Sequence, residues 1–465
     1  MIKRDLIGGH FRSFRRDPTG FLTKLSKLGD VTAFRMGPQR GFFINDPEYI
    51  RDIFTTSAHK FVKGRALQRA KTLLGNGLLT NEGESHLRQR RMIQPAFHRA
   101  RTAEYARSMV EFAESLSNEW QDGSVIDVDK EMMRLTLRIV AKTLFSADVT
   151  TEADEVGSSM TTLVEMFDYL LLPFSEWLEK LPLPHTRRLK KARGALDQII
   201  FGFIDARRAN GEDSGDLLSM LLAARDESDG SAMSDEQIRD EALTLFLAGH
   251  ETTANALTWT WYLLSQNREA EKKLHEEIDS ILGRTGGSPS GTYRVASDMA
   301  KNTLPNGRVS AYVIKFDDIP KLRYAEAVIA ESLRLFPPAW GIGRLSIADH
   351  RFGAYEIPKG SLVLVSPFVT QRDARFWDEP ETFQPERWFE ISVKEALQRS
   401  TYIPFGGGVR RCIGESFAWT EATLVLATLA RRWKLEMVPE QKIGLQPMIT
   451  LRPKFGMKMI LRERR

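Results

Sequence analysis

The chain contains a single cysteine, Cys412, in the stretch "FGGGVRRCIGESFAWTEATLVLATLARRW" from Phe405 to Trp433. Gly406, Gly407 and Gly408 precede it, without Cβ atoms, so the backbone can pass close to something flat or bulky. Arg410 and Arg411 add positive potential, and the residues after Cys412 carry a helical pattern. A sulfur near a helix N-terminus gains from the dipole and the unpaired N–H groups, conditions that favour the thiolate and metal binding. One cysteine cannot assemble a zinc or iron–sulfur site, which need several ligands, but it can supply one axial ligand to a haem iron. A buried apolar cysteine explains a lone Cys equally simply. A second set of chemistry-bearing residues, Ala248 to Thr253 ("AGHETT"), lies inside a long apolar pattern. There Glu251 and Thr252 form an acid–alcohol pair able to hold and pass protons.

Those residues need elements to position them. Apolar residues three and four apart dominate from about Glu84 to Leu282, with breaks at "SADVTTEAD", "LPLPHT", "NGEDSGD" and "SDGSAMS". Ser234 and Gln237 form a capping box that opens the long stretch holding Glu251. Alternation on both sides of Gly37-Pro38 predicts a hairpin. Short strands are predicted near "RFGAYEIPKGSLVLVSPF", and a helix through "AEAVIAESLRLF" stops at Pro337-Pro338. The class is mainly α with small β-sheets. No repeat or linker divides the chain, so a single domain over 1–465 is expected, with an irregular, Gly/Ser/Pro/Asn-rich insertion at 284–317.

The chain has 465 residues, 42% hydrophobic and 27% charged, with a formal charge of +5. The charge is too mild to imply nucleic acid. No apolar run reaches the length of a signal peptide or a membrane span. A lone cysteine fits a reducing, cytoplasmic setting.

The opening stretch resembles the haem-binding signature F-x-x-G-x-R-x-C-x-G of the cytochromes P-450, matched by Phe405, Gly408, Arg410, Cys412 and Gly414. "AGHETT" resembles the family's [AG]-G-x-[DE]-T-[TS]. "ESLR" (Glu331 to Arg334) resembles E-x-x-R, and "PERW" with Arg387 supplies its third member. The likeness runs from about Gly29 to Arg462.

This resemblance implies the cytochrome P-450 fold, with haem b between the long central helix and the cysteine loop. Cys412 would be the axial ligand. Phe405, Gly406 and Ala248 would contact the macrocycle, with Gly249 leaving room for dioxygen. His86, Arg90, Arg344 and Arg410 would hold the propionates, His86 standing where the family commonly has Trp. Gln371 stands where many relatives have His. Glu251 and Thr252 would serve proton delivery, and Glu331, Arg334 and Arg387 would form a structural network.

The implied activity is a monooxygenase inserting one oxygen atom of dioxygen into a lipophilic substrate, a fatty acid, terpenoid or similar. Pocket walls would come from Leu67 to Leu79, Leu245 to Ala248, Ala339 to Ile342 and Met448-Ile449. Electrons would come from a separate ferredoxin or flavodoxin with its reductase, docking near Arg88, Arg91, Arg99 and Arg411, and the protein would be a monomer without a membrane anchor. The other readings are a peroxide-using or non-oxygenating haem-thiolate enzyme, and a haem-thiolate sensor.

Overall fold

The computed structural model describes residues 8–146, 157, 159–160, 162–163, 183–211, 215–226, 230–282 and 313–464. Residues 284–312 of the expected insertion lie outside the described residues. The last part of that stretch enters a 3-10 turn at Phe316–Lys321.

The helices that build the site are, in chain order, α1 (Pro47–Phe54), α2 (Gly83–Ile93), α3 (Arg99–Glu119), α4 (Val128–Phe145), α5 (Asp235–Gln266), α6 (Arg323–Leu335) and α7 (Glu415–Ala430). The capping box at the start of α5 is present. Ser234 Oγ accepts the Gln237 N–H at 3.2 Å, and Gln237 Oε1 accepts the Ser234 N–H at 3.0 Å. Asp235 and Glu236 in the first turn complement the helix dipole. Its 32 residues are buried over most of their length. They span about 48 Å at 1.5 Å per residue, so α5 is the axis on which the other helices pack.

α4 runs along α5, and Thr136 Oγ1 of α4 donates to the His250 carbonyl at 3.0 Å. α7 is apolar on almost every side and accordingly buried, packing against α3, α5 and α6.

Five strands form the largest sheet: β1 (Val31–Met36), β2 (Gln39–Ile44), β3 (Phe61–Lys63), β4 (Ile342–Ser346) and β5 (Leu362–Val365), in the order β1-β2-β5-β4-β3. β1 and β2 make the expected hairpin, with Gly37 at φ 59° in its turn. β2 and β5 pair in parallel and the other neighbours antiparallel. The β3–β4 pairing sets Lys63 opposite Arg344. A short hairpin, β6 (Leu445–Pro447) and β7 (Leu451–Pro453), turns at Met448–Thr450. Val125–Asp127, Trp433–Met437 and Lys458–Glu463 form a small separate sheet. The largest apolar core lies among the helices, with smaller ones against the sheet.

Among the described residues no helix is long and apolar enough to cross a membrane.

Candidate active site

The loop before α7 is closed by its own backbone. The Cys412 N–H donates to the Phe405 carbonyl at 2.9 Å and the Arg411 N–H to the Gly408 carbonyl at 3.0 Å. Gly406 and Gly408 hold φ of 70° and 63°, which side-chain-bearing residues rarely adopt. The glycines divide their work differently from the sequence expectation. A Cβ on Gly407 or Gly408 would strike Phe54 at the end of α1, so these two bring the loop onto α1 rather than onto a ligand. Only Gly406 has room around it, with Ile342 Cδ1 as its nearest neighbour at 3.9 Å. The Phe405 ring is half-buried and lies 5.8 Å from Trp419.

Cys412 is exposed, and protein groups still crowd its sulfur closely enough to act on the thiol. Burial pushes the thiol up to about 11, outweighing the Gly414 N–H and the Arg90 and Arg411 charges that favour the thiolate. The arginines and helix start alone thus do not keep the sulfur ionised, contrary to the sequence expectation. An iron would, because a coordinated thiol is deprotonated outright. Among the described residues there is no cluster of three or more His, Cys, Asp or Glu that could hold a metal, which leaves a single-sulfur ligation as the one that fits.

A cationic cluster stands beside the loop. Arg410 donates to the Asn81 carbonyl at 2.8 Å and pairs with Glu82. Lys63 is buried, and its ammonium donates to the carbonyls of Leu78 (2.8 Å) and Asn81 (2.7 Å). Arg344 lies over the Phe54 ring at 5.4 Å, and burial with the Arg410 charge pulls it down to about 10. Burial, then Arg410, bring Lys63 down to about 7.

Three cations, Lys63, Arg344 and Arg410, face one carboxylate, Glu82. With Lys63 brought down to about 7 it is only partly charged at neutral pH, and the cluster keeps a net positive charge, the sign that the propionates of haem b require. His86 is 3% exposed, and burial followed by the Arg410, Lys63 and Arg90 charges pushes it down to about 3. It is a neutral imidazole, able to donate one N–H but not to add charge. Arg90 turns elsewhere: it donates to the Arg411 carbonyl at 2.7 Å and its charge favours the Cys412 thiolate, so it braces the sulfur loop. The donor set therefore fits haem, and Lys63 stands in the same cluster as the expected donors Arg344 and Arg410. Nothing in the sequence marks Lys63, because its relevance comes from pairing with Arg344 across a sheet.

On α5, Ala248 is exposed and Gly249 and Thr252 half-buried, while His250, Glu251 and Thr253 are buried. Residues 248, 249 and 252 share one helix face, the accessible face of an otherwise buried helix. Thr252 Oγ1 donates to the Ala248 carbonyl at 2.6 Å, which leaves its lone pairs as acceptors. A Cβ on Gly249 would approach Val140 Cγ2 to 3.1 Å. That glycine lets α4 pack closely on α5, and Ala248 is the most exposed residue of this face.

Glu251 points away from this face. Its Oε1 accepts from Arg452 Nε at 2.8 Å and from Thr450 Oγ1. Asn255 Nδ2 donates to Thr450 Oγ1 at 3.0 Å and Trp259 Nε1 to the Leu451 carbonyl at 2.9 Å, so one stripe of α5 grips β7. Asp129 lies near enough for its carboxyl, raised by burial to about 6, to feel Arg452 and Glu251. The sequence identified Glu251 but not its partners, which approach from the far end of the chain.

The E-x-x-R network is as expected and larger. Glu331 accepts from Arg334 Nε and Nη2 (2.9 and 2.8 Å), Arg387 Nε (3.0 Å), Trp388 Nε1 (3.0 Å) and the Gln384 N–H (3.0 Å). Gln371 has a structural role. It donates to the Leu333 and Arg334 carbonyls at the end of α6 and accepts the Ile403 N–H at 2.9 Å, tying α6 to the segment that enters the cysteine loop. Of the arginines expected at a docking face, Arg91 and Arg99 are exposed. Arg88 is paired with Asp226 and Arg411 with Glu415. The surface cavity of about 320 Å³ lined by Arg40, Arg65 and Lys359 is formed by Pro38–Arg40 and Pro358–Ser361, away from the thiol.

Comparison with known proteins agrees with this geometry. The family model described as Cytochrome P450 matches residues 6–458. The chain is 39% identical to "Cyclooctatin synthase" of Streptomyces melanosporofaciens, covering 96% of this chain and 91% of that protein. It is 35% identical to "Cyclooctat-9-en-7-ol 5-monooxygenase" of the same organism, over 93% of this chain and 88% of the relative. It is also 35% identical to "Pentalenene oxygenase" of Streptomyces avermitilis, over 94% and 91%. One exposed cysteine sulfur, a positively charged cluster beside its loop and an accessible alanine–threonine face coincide with a family match over nearly the whole length: the chain belongs to the Cytochrome P450 family of haem monooxygenases.

Proposed function

We propose that this protein inserts one oxygen atom of dioxygen into an unactivated C–H bond of a cyclic terpenoid. The observation that carries the substrate class is the similarity, over more than nine-tenths of the chain, to relatives whose names specify cyclooctat-9-en-7-ol and pentalenene. The site agrees in character. Leu67, Leu79, Met448 and Ile449 are only partly buried although apolar, as walls facing a lipophilic ligand would be.

When bound, haem supplies the activation of dioxygen. The chain's own residues do the rest. Cys412 Sγ would ligate the iron, with Arg90 bracing its loop. Lys63, Arg344 and Arg410, with the His86 N–H, would hold the propionates. Thr252 Oγ1, a donor to Ala248 and free to accept, would hold a proton or water on the accessible face. Glu251 would restock it from its buried site, with Arg452 and Thr450 holding the carboxylate in place. The apolar walls exclude water and orient the carbon skeleton across Ala248. Electrons would arrive from a separate acidic ferredoxin or flavodoxin steered by Arg91 and Arg99.

The test is turnover of a panel of cyclic terpenes with a surrogate ferredoxin and reductase under ¹⁸O₂. One labelled oxygen per product is the expected result. Absence of label, or product formed only with added peroxide, would refute the monooxygenase reading for this chain.

A further inference from the structure

The end of the five-stranded sheet where β2 and β5 begin carries positive charge that no acid answers. The surface cavity of about 320 Å³ there is lined by Arg40, Arg65 and Lys359 and by no carboxylate. Its three cations come from three places in the chain: Arg40 from β2, Arg65 from the first position of the helix Arg65–Leu74, and Lys359 from the turn before β5. Arg35 of β1 stands directly opposite Arg40 in the hairpin register, so a fourth cation shares that face. Like charges directly opposite on paired strands repel. Among the described residues, none of these four side chains has an ion pair or a hydrogen-bond partner.

The walls are held by other groups. β2 and β5 pair in parallel from Gly41 and Leu362 onward. Gln39 Nε2 donates to the Gly360 carbonyl at 3.3 Å and Ser361 Oγ to the Pro358 carbonyl at 2.6 Å. The two turns that border the cavity are thus tied to each other, and the exposed guanidiniums and ammonium are left to meet a ligand from solvent. Asp349 is the acid tied to this wall. Its Oδ1 accepts the backbone N–H of Lys359 at 2.7 Å rather than its ammonium. Gly64, ahead of Arg65, offers no side chain to the first-turn N–H groups, so the positive end of that helix adds to the Arg65 side of the cavity.

We propose that this cavity binds a phosphoryl anion carrying at least two negative charges, either inorganic diphosphate or a diphosphate ester. A single carboxylate would leave most of the positive charge unanswered. Two guanidiniums from different walls offer one bidentate fork to each phosphoryl group, and Lys359 adds a point charge. The volume equals that of about ten waters at about 30 Å³ each, room enough for a diphosphate. A cationic cavity open to solvent does not suit the apolar body of a terpenoid, so this site is separate from the one that holds the substrate, and the inference does not rest on the terpenoid reading.

The experiment is calorimetric titration of the haem-loaded protein with inorganic phosphate, inorganic diphosphate and geranyl diphosphate, with the haem absorbance recorded throughout. A diphosphate is expected to bind at least about ten-fold more tightly than phosphate, with the haem spectrum unchanged. Arg40→Ala and Arg65→Ala should each weaken it about ten- to a hundred-fold. Arg65→Lys should weaken it less than Arg65→Ala, because it keeps the charge and loses the fork. Lys394→Ala, which removes an exposed cation outside the cavity, should change nothing. Tighter binding of geranyl diphosphate names the ester as the ligand, tighter binding of inorganic diphosphate names the free ion, and equal affinities name the diphosphate group they share. Failure of both to bind would overturn the inference, as would equal affinity for phosphate and diphosphate. A Lys394→Ala loss as large as that of Arg40→Ala would overturn it too, by reducing it to general attraction to a basic surface. So would a haem absorbance change on adding diphosphate, which would put the anion in the haem pocket.

Discussion

Replacing Glu331 by Gln removes the one negative charge at the centre of a buried network. Arg334 is fully buried, and its guanidinium would keep the carbonyls of Gln371 (2.8 Å), Pro380 (2.6 Å) and Thr382 (3.0 Å) but lose its carboxylate counter-charge. Arg387, 12% exposed in its side chain, would lose the same partner. Trp388 Nε1 and the Gln384 N–H would compete for the single remaining acceptor oxygen. Breaking a buried pair by removing one partner costs about 3–5 kcal/mol, a large part of the roughly 5–15 kcal/mol by which domains are stable. Glu331→Gln is therefore expected to lower unfolding free energy by about 3–5 kcal/mol in a urea titration followed by tryptophan fluorescence.

The matched control is Arg411→Ala. It breaks the i,i+4 pair with Glu415, whose side chains are 34% and 18% exposed, and should cost less than about 1 kcal/mol. A Glu331→Gln loss no larger than that of the control would refute the reasoning that this network holds up the segment entering the cysteine loop.

Three further expectations come from the buried titratable groups. Burial raises Glu421, on α7 against Thr253, to about 8. Its folded value lies above the unfolded one of about 4.3, so its contribution is intact below about pH 4.3 and is lost as pH rises toward 8. Glu421→Gln should thus gain on the parent by about 2–5 kcal/mol at pH 9 and by less than about 1 kcal/mol at pH 5. Parallel stability profiles from pH 5 to 9 would contradict this. Alkylation of Cys412 by iodoacetamide in haem-free protein should accelerate up to about pH 11, because burial raises the thiol; a plateau near pH 8 would show that the loop ionises the sulfur unaided. Lys63→Met should speed haem transfer to apomyoglobin about ten-fold, through loss of one of the three cations. An unchanged rate would remove Lys63 from the propionate site.

Much of the site was legible because its parts lie close together in the chain. Phe405 to Gly414 supplies the whole sulfur loop, and Ala248 to Thr252 spans little more than one turn of α5. The capping box at Ser234 and the Gly37-Pro38 turn are local signals and read correctly for the same reason. What escaped the sequence is pairing at long range. Lys63 reaches the cationic cluster through the β3–β4 register, and Arg452 reaches Glu251 from 201 residues away. Gln371, which stands where many relatives have His, bridges α6 and Ile403. The arginines that favour the Cys412 thiolate are visible in a sequence, and the desolvation that opposes them is not. The packing of Gly249 against Val140 escaped likewise, since Val140 comes from a different helix.

The account stands on sulfur from position 412 holding the iron. The most direct measurement is the carbon-monoxide difference spectrum of the reduced, haem-loaded protein beside that of Cys412→Ser. The parent should show the strongly red-shifted band of a thiolate-ligated haem, and the serine variant should bind haem without it. A variant that retains the band, or a parent that shows the spectrum of an imidazole-ligated haem, would contradict the assignment.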